Sequence, residues 1–219
     1  MKVAGFDLDE TLLEGDSDLL FAHFCGRRGL GDASRIDGFY ADYRAGCLDL
    51  EAFYAYTFEP FRGRTREELG ALLEEFHRTQ LAPRLRPAMV ARVSDLRRAG
   101  WVTVLVTATN TLLAHRVALE LRLDGTIATH PARDGGRFTG ATTGVPSFLE
   151  GKAERLDAWL ARRGTSIEGL EDSTYFGDSR SDLPLLERVA HPVAVGPDAV
   201  LRARAEERGW EIIEAGTRE

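Results

Sequence analysis

The sequence predicts an α/β fold, a mostly parallel sheet covered by helices on both faces and interrupted by a small all-helical insertion. Two observations carry this. Short apolar stretches alternate with amphipathic helical patterns through most of the chain, as in a sheet built from crossover units. Between residues 15 and 82 the strand signal vanishes and helical periodicity takes over.

The first strand is expected over Val3–Asp7. In the insertion, Leu19, Leu20, Phe21 and Phe24 mark one helix, Phe39, Tyr40 and Tyr43 a second, and Leu50, Phe53 and Tyr54 a third. A fourth opens with a capping box, Thr65 to Glu68, ahead of Leu69, Leu72, Leu73 and Phe76. Glu14-Gly15 and the segment from Pro83 to Pro87 are the expected hinges, so residues 1–14 and 83–219 form a core and 15–82 a separate helical domain. Pro87 suits a first helical turn, Met89, Val90, Val93 and Leu96 follow at helical spacing, and Gly100 closes that helix. Further strands are expected at Trp101–Thr107, near Ile127, at Ser173–Phe176, at Pro192–Val195 and near Ile212. Leu149, Leu156, Trp159 and Leu160 mark another helix, ending near Gly164, and Asp134-Gly135-Gly136 reads as a β-hairpin turn.

Composition narrows the function. The chain has 219 residues, 43% of them hydrophobic, with a formal charge of −7, which argues against a disordered chain and against a dedicated nucleic-acid binder. No apolar run approaches the roughly 18–20 residues of a membrane-spanning helix. Cys25 and Cys47 alone make neither a disulfide framework nor a zinc site, and both are expected as reduced, half-buried thiols. The first strand leaves no room before it for a signal peptide, so a cytoplasmic location is expected.

The densest chemical signal is Phe6-Asp7-Leu8-Asp9-Glu10-Thr11, at the carboxyl end of the first strand. Ligands bind outside that end of the strands in open α/β sheets. Asp7 and Asp9 point to the same side of an extended segment, and two carboxylates together need a cation, a shared proton or a hydrogen-bond network. Gly177-Asp178-Ser179-Arg180-Ser181-Asp182 follows another apolar strand and brings Asp178 to the same rim. Oxygen ligands with open positions suit Mg²⁺, which keeps waters and shares itself with phosphate. Thr107-Ala108-Thr109-Asn110 places hydroxyl groups and helix-start amides where an anion can sit. Of 28 basic residues only Lys2 and Lys152 are lysines, so an internal lysine at a helix start suggests a need for a compact point charge.

In order and spacing, Asp7-x-Asp9-x-Thr11, Thr107, Lys152 and Gly177-Asp178-x-x-x-Asp182 resemble the four motifs of the haloacid dehalogenase (HAD) superfamily. The insertion after the first motif resembles the cap of subclass IB, the phosphoserine-phosphatase-like branch with its histidinol-phosphatase-like bacterial members. The resemblance implies a three-layer, Rossmann-like core. It implies Asp7 as nucleophile, Asp9 as general acid and then base, and Thr107, with Ala108, as phosphoryl-binding. Lys152 would steady Asp7 and the phosphate. Asp7, the Asp9 carbonyl and Asp178 would hold Mg²⁺, supported by Asp182. An Asp at position 9 favours a phosphatase or phosphotransferase over a dehalogenase.

The same resemblance bears on substrate. Asp16 stands nine positions after the nucleophile, where phosphoserine phosphatases carry an acid for the substrate ammonium. Thr57 stands where their carboxylate-binding arginine is expected, with Arg44 and Arg62 as candidates to replace it. A missing carboxylate clamp favours an amine without a carboxylate, such as histidinol phosphate, over phosphoserine. Phe21, Phe39, Tyr43, Phe53 and Tyr54 could flank an imidazole, although packing inside the helical insertion is the first expectation for them. The expected activity is therefore Mg²⁺-dependent hydrolysis of a small phosphomonoester by a monomer or homodimer. A phosphotransferase and a non-catalytic phospholigand-binding protein are the alternatives.

Overall fold

The first strand, β1 (Lys2–Phe6), leads directly into a helical segment of α1 (Ser17–Gly26), α2 (Ile36–Ala45), α3 (Leu50–Thr57) and α4 (Arg66–Phe76). The chain continues through α5 (Pro87–Arg98), β2 (Val102–Asn110), α6 (Thr111–Glu120), and the strands β3 (Gly125–Asp134) and β4 (Arg137–Thr143). It ends with α7 (Glu150–Ala161), β5 (Asp172–Gly177), the short α8 (Leu183–Leu186), β6 (His191–Val195), α9 (Ala199–Arg208) and β7 (Glu211–Ile213). This computed structural model describes residues 1–214. Among them, no helix is long and apolar enough to cross a membrane.

The strands form one sheet in the order β4-β3-β2-β1-β5-β6-β7, parallel except for the antiparallel β3–β4 pair. β1 is central, with β2 on one side and β5 on the other. Its carboxyl end is thus the point where successive crossovers leave in opposite directions, and a crevice opens there.

Alternation along the strands makes the three layers. Ala4, Phe6, Leu105, Phe176 and Val193 face a core completed by α5 and α6. Val3, Val104, Val106, Tyr175 and Ala194 face the opposite core, filled by Leu156, Trp159 and Leu160 of α7 and by Leu201 of α9. Phe6 and Phe176, paired in register, stack with ring centroids 4.7 Å apart. The helical segment joins the first core through a cluster in which Phe76 meets Phe21 at 4.9 Å and Phe24 at 5.2 Å. Each such buried ring contributes roughly 1.5–3 kcal/mol, enough to seat four short helices that would not persist alone.

The expected elements are all present, with instructive differences in extent. β2 runs on to Asn110 rather than ending at Thr107, because its pairing with β3 shifts register between Val106 and Asn110. β3 is longer than the stretch around Ile127 suggested, because its distal half pairs with β4 around the Gly135-Gly136 turn. β4 then reaches the helical segment, where the Gly63 amide donates to the Phe138 carbonyl at 2.8 Å and the Phe138 amide to the Arg64 carbonyl at 2.9 Å. Where the chain leaves and re-enters the core, its two passes pair with each other. The Glu14 amide donates to the Arg84 carbonyl and the Arg86 amide to the Leu12 carbonyl, both at 2.8 Å. Neither cysteine is half-buried as expected, since Cys25 packs inside the aromatic cluster and Cys47 is exposed.

Two outcomes follow from this packing. A Cβ on Gly5 would lie 2.7 Å from a ring carbon of the fully buried Tyr175, so Gly5→Ala should lower stability in urea by about 1–3 kcal/mol. Burial pushes the Cys25 thiol up to about 12, so a thiol reagent at neutral pH should titrate Cys47 alone in the native protein and both cysteines after denaturation.

Candidate active site

β1 ends at Phe6, but the Asp7 amide still donates to the Phe176 carbonyl at 2.9 Å, which holds Asp7 in line with the sheet. Leu8 is fully buried and anchors the turn, so Asp7 and Asp9 both face the crevice. The chain then doubles back, with the Leu13 amide on the Leu8 carbonyl at 2.8 Å and Glu10 in the left-handed region at φ +53°.

Lys152, in the first turn of α7, is almost completely buried and donates to Asp7 Oδ1 at 2.9 Å and to Asp182 Oδ1 at 2.7 Å. Burial pulls this lysine down, but Asp182 and Asp7 outweigh it and hold the ammonium above its ordinary value. Asp182 is saturated. Its Oδ1 also accepts from the Tyr175 hydroxyl at 2.7 Å, and its Oδ2 from the amides of Asp178 at 3.1 Å and Ser179 at 3.3 Å. Gly177 makes room for it, because a Cβ there would sit 2.5 Å from Asp182 Cγ.

Asp178 and Asp7 face each other across the same crevice. Burial, then Asp182 and Asp7, push Asp178 well above the usual carboxylate range. Burial, resisted by Lys152 and aided by Asp182, pushes Asp7 up to about 6. Carboxylates this close need a proton or a cation between them. Asp7, Asp178 and Asp182 each offer an oxygen within 4.8 Å of the others. With the lone pairs of Asp182 already used, Asp7 and Asp178 are the side chains available to a divalent metal.

Asp9 is held by a separate network. Its Oδ1 accepts from the Ser17 amide and its Oδ2 from the Thr109 hydroxyl, both at 2.7 Å. Thr109 Oγ1 lies 2.9 Å from Ser17 Oγ and 3.1 Å from Thr107 Oγ1. Burial, then Asp16, Asp7 and Asp18, push Asp9 well above the usual range, which favours its proton-donating form. The sequence singled out Thr107 and Ala108, and both line the crevice, but the hydroxyl that orients Asp9 belongs to Thr109.

Above these residues lies a cavity of about 380 Å³, roofed by α1, α2 and α3 and by Phe148. Four of the five aromatic residues considered from sequence, Phe39, Tyr43, Phe53 and Tyr54, line it, and Phe21 does not. Packing inside the insertion therefore accounts for Phe21, while the other four also furnish the roof. Asp16 lines the cavity beside Tyr40 and caps α1 by accepting from the Leu19 amide at 2.9 Å. Arg44 is exposed on α2 and is not part of the lining, so its candidacy as a clamp fails on position. Arg62 is turned away, donating to Glu59 at 2.7 Å and to the Thr139 carbonyl at 2.8 Å. Lys152 is the one basic side chain in the lining among the described residues. Sequence reasoning also missed Arg180, which donates to the Tyr43 carbonyl and stacks 4.7 Å from the Tyr43 ring, tying the Asp178 loop to α2.

Removing the ammonium leaves buried carboxylates uncompensated. Lys152→Met should cost about 3–5 kcal/mol in urea denaturation, and Asp7→Asn in the same background should recover part of it.

A family model for haloacid dehalogenase-like hydrolases matches residues 4–187. Over 217 residues the chain is 36% identical to a histidinol-phosphatase of Neisseria meningitidis, covering 97% of this chain and 98% of that protein. It is 33% identical to a phosphoserine phosphatase of Mycobacterium tuberculosis, covering 95% of this chain and 69% of that one. A crystal structure of a protein of unknown function from Bordetella pertussis superposes with a TM-score of 0.90 at 38% identity, covering 97% of both chains. A substrate-bound phosphoserine phosphatase shares the fold, with a TM-score of 0.72 at 17% identity over 98% of this chain and 93% of its own. The catalytic-end geometry and these matches agree: the chain belongs to the haloacid dehalogenase-like hydrolase family and is an enzyme of its phosphatase branch.

Proposed function

We propose that the protein is a Mg²⁺-dependent phosphatase that hydrolyses histidinol phosphate through an aspartyl-phosphate on Asp7. The observation that carries the substrate is the charge of the cavity. Among the described residues its one basic side chain, Lys152, is spent at the Asp7 end, while Asp16, Asp18 and six aromatic side chains stand over it. A substrate carboxylate finds no partner there, and an amine or a protonated ring does. The similarity to the Neisseria histidinol-phosphatase supports the same reading.

Residues 15–82 act as a cap that covers the bound ester and excludes bulk water, and the paired passes at Leu12–Glu14 and Arg84–Arg86 are its hinge. Asp7, Asp178 and the Asp9 carbonyl would hold the metal, which neutralises nucleophile and phosphate together. Lys152 fixes one oxygen of Asp7 and the other attacks phosphorus. As the ester P–O bond breaks, Asp9 gives its proton to the leaving alkoxide. Asp9, again a base, takes a proton from water, which attacks the phosphorus of the aspartyl-phosphate. Inorganic phosphate leaves and the Asp7 carboxylate is restored. Thr107 and the backbone at Ala108 hold the phosphoryl oxygens, and Thr109 with Ser17 aims Asp9.

Phosphate release should be measured with L-histidinol phosphate, L-phosphoserine, sugar phosphates and nucleoside monophosphates, with and without a glycerol acceptor. The expected result is preference for histidinol phosphate, abolished by EDTA, restored by Mg²⁺ and absent in Asp7→Asn. Preference for phosphoserine would contradict the charge argument. Glycerol phosphate formed in place of free phosphate would make the enzyme a phosphotransferase.

A further inference from the structure

Asp18 is the cavity carboxylate that the reaction above leaves without a role. Asp7, Asp9 and Asp178 serve the chemistry, Asp16 caps α1, and Glu10 pairs with Arg86 at 3.0 Å. Asp18 is only 8% exposed, and its Oδ1 is buried with no hydrogen-bond partner among the described residues. It lines the active-site cavity on one side and, on the other, a second cavity of about 480 Å³ among the helices of the insertion.

A carboxylate in the first turn of a helix is favoured by the helix dipole, but an exposed one would serve that purpose equally well. Burying a carboxyl with incomplete hydrogen bonding costs stability, and a group in a cavity wall can complete its bonding with what the cavity receives. Burial and the neighbouring Asp16 push this carboxyl up to about 8, with the Asn110 side chain pulling the other way. No basic side chain of the lining approaches the roof to relieve it. The neighbouring Asn110 amide, whose Nδ2 also lacks a hydrogen-bond partner, meets this need only in part, and a donor brought by a ligand would complete it.

We propose that Asp18 is the specificity-determining residue of this enzyme, accepting a hydrogen bond from the distal cationic N–H group of the substrate. In histidinol phosphate the ammonium lies nearer the phosphate, and the distal N–H group is the imidazole ring, which donates in its neutral and protonated forms alike. The aromatic roof residues pack against the ring's faces while Asp18 meets its edge. Asp16 accepts from the Leu19 amide at 2.9 Å, and its role is to shape the start of α1. The assignment of the ring rests on the substrate reading above, whereas the preference for a cation does not.

The test compares native enzyme, Asp18→Asn, Asp18→Glu and Asp16→Asn on two matched pairs of alkyl esters, histidinol phosphate against 3-phenylpropyl phosphate and phosphoethanolamine against ethyl phosphate. The readout is the ratio of kcat/KM within each pair, so a general loss of activity cancels. Native enzyme should favour the cationic ester. Asp18→Asn should reduce that ratio about ten-fold or more, chiefly through KM, as expected for a lost charge-assisted hydrogen bond, and Asp18→Glu should restore part of it. A native ratio in Asp18→Asn, or a loss confined to Asp16→Asn, would overturn the proposal. If histidinol phosphate is not turned over but Asp18→Asn erases a preference for phosphoethanolamine, the ring assignment falls and the role of Asp18 stands. If native enzyme shows no cation preference in either pair, or turns over none of the four esters, the role of Asp18 falls.

Discussion

One buried ammonium among buried carboxylates is the constraint around which the rest of this molecule is arranged. Lys152 is almost wholly removed from water, and so are Asp7 and Asp182 on either side of it. Ions in such a place persist only when each has partners of good geometry. Asp182 meets that condition with four donors, from Lys152, Tyr175 and two loop amides. Those bonds reach α7, β5 and the loop after it, so the fold at the carboxyl end of the sheet and the charge balance of the site are one structure. Asp178 is left facing Asp7, and this incomplete part of the balance is where a divalent cation fits.

The cavity divides by charge into two ends. At the sheet, the Lys152 ammonium stands among the carboxylates of Asp7, Asp9 and Asp178 beside the Thr107 hydroxyl, while at the roof the carboxylates of Asp16 and Asp18 lie among aromatic rings. A dianionic phosphate with a cationic tail matches that polarity along its length. The same roof belongs to helices that leave and re-enter the core at a paired crossing, and Arg180 ties them to the Asp178 loop through Tyr43.

Much of this was legible in the sequence because the chemistry sits at strand ends, and strand ends are local events. Apolar runs followed by Asp7, Thr107 and Asp178 declared both the sheet and its functional rim. The scarcity of lysine pointed to Lys152, and the structure supplies the reason. What could not be read depends on segments far apart in the chain. Thr109 reaches Asp9 across 100 positions, and α2 comes to rest on Arg180 across 137. Nothing in the periodicity of α1 separates Asp18 from an ordinary acidic first turn. Only the packing of α3 and the strand ends around it makes it a buried carboxylate in a cavity wall. Arg44 was eligible as a clamp only because it is a basic residue of the insertion, and the fold leaves it exposed on α2 and outside the cavity lining.

The central claim, that Asp7 is the atom-transferring nucleophile, is tested most directly by trapping. Enzyme turning over histidinol phosphate with Mg²⁺ would be quenched in acid, reduced with borohydride and mapped by peptide mass spectrometry. An acyl phosphate is reduced to an alcohol under those conditions, so this account predicts homoserine at position 7, dependent on substrate and absent without metal. Intact Asp7 in enzyme quenched during steady turnover would contradict it.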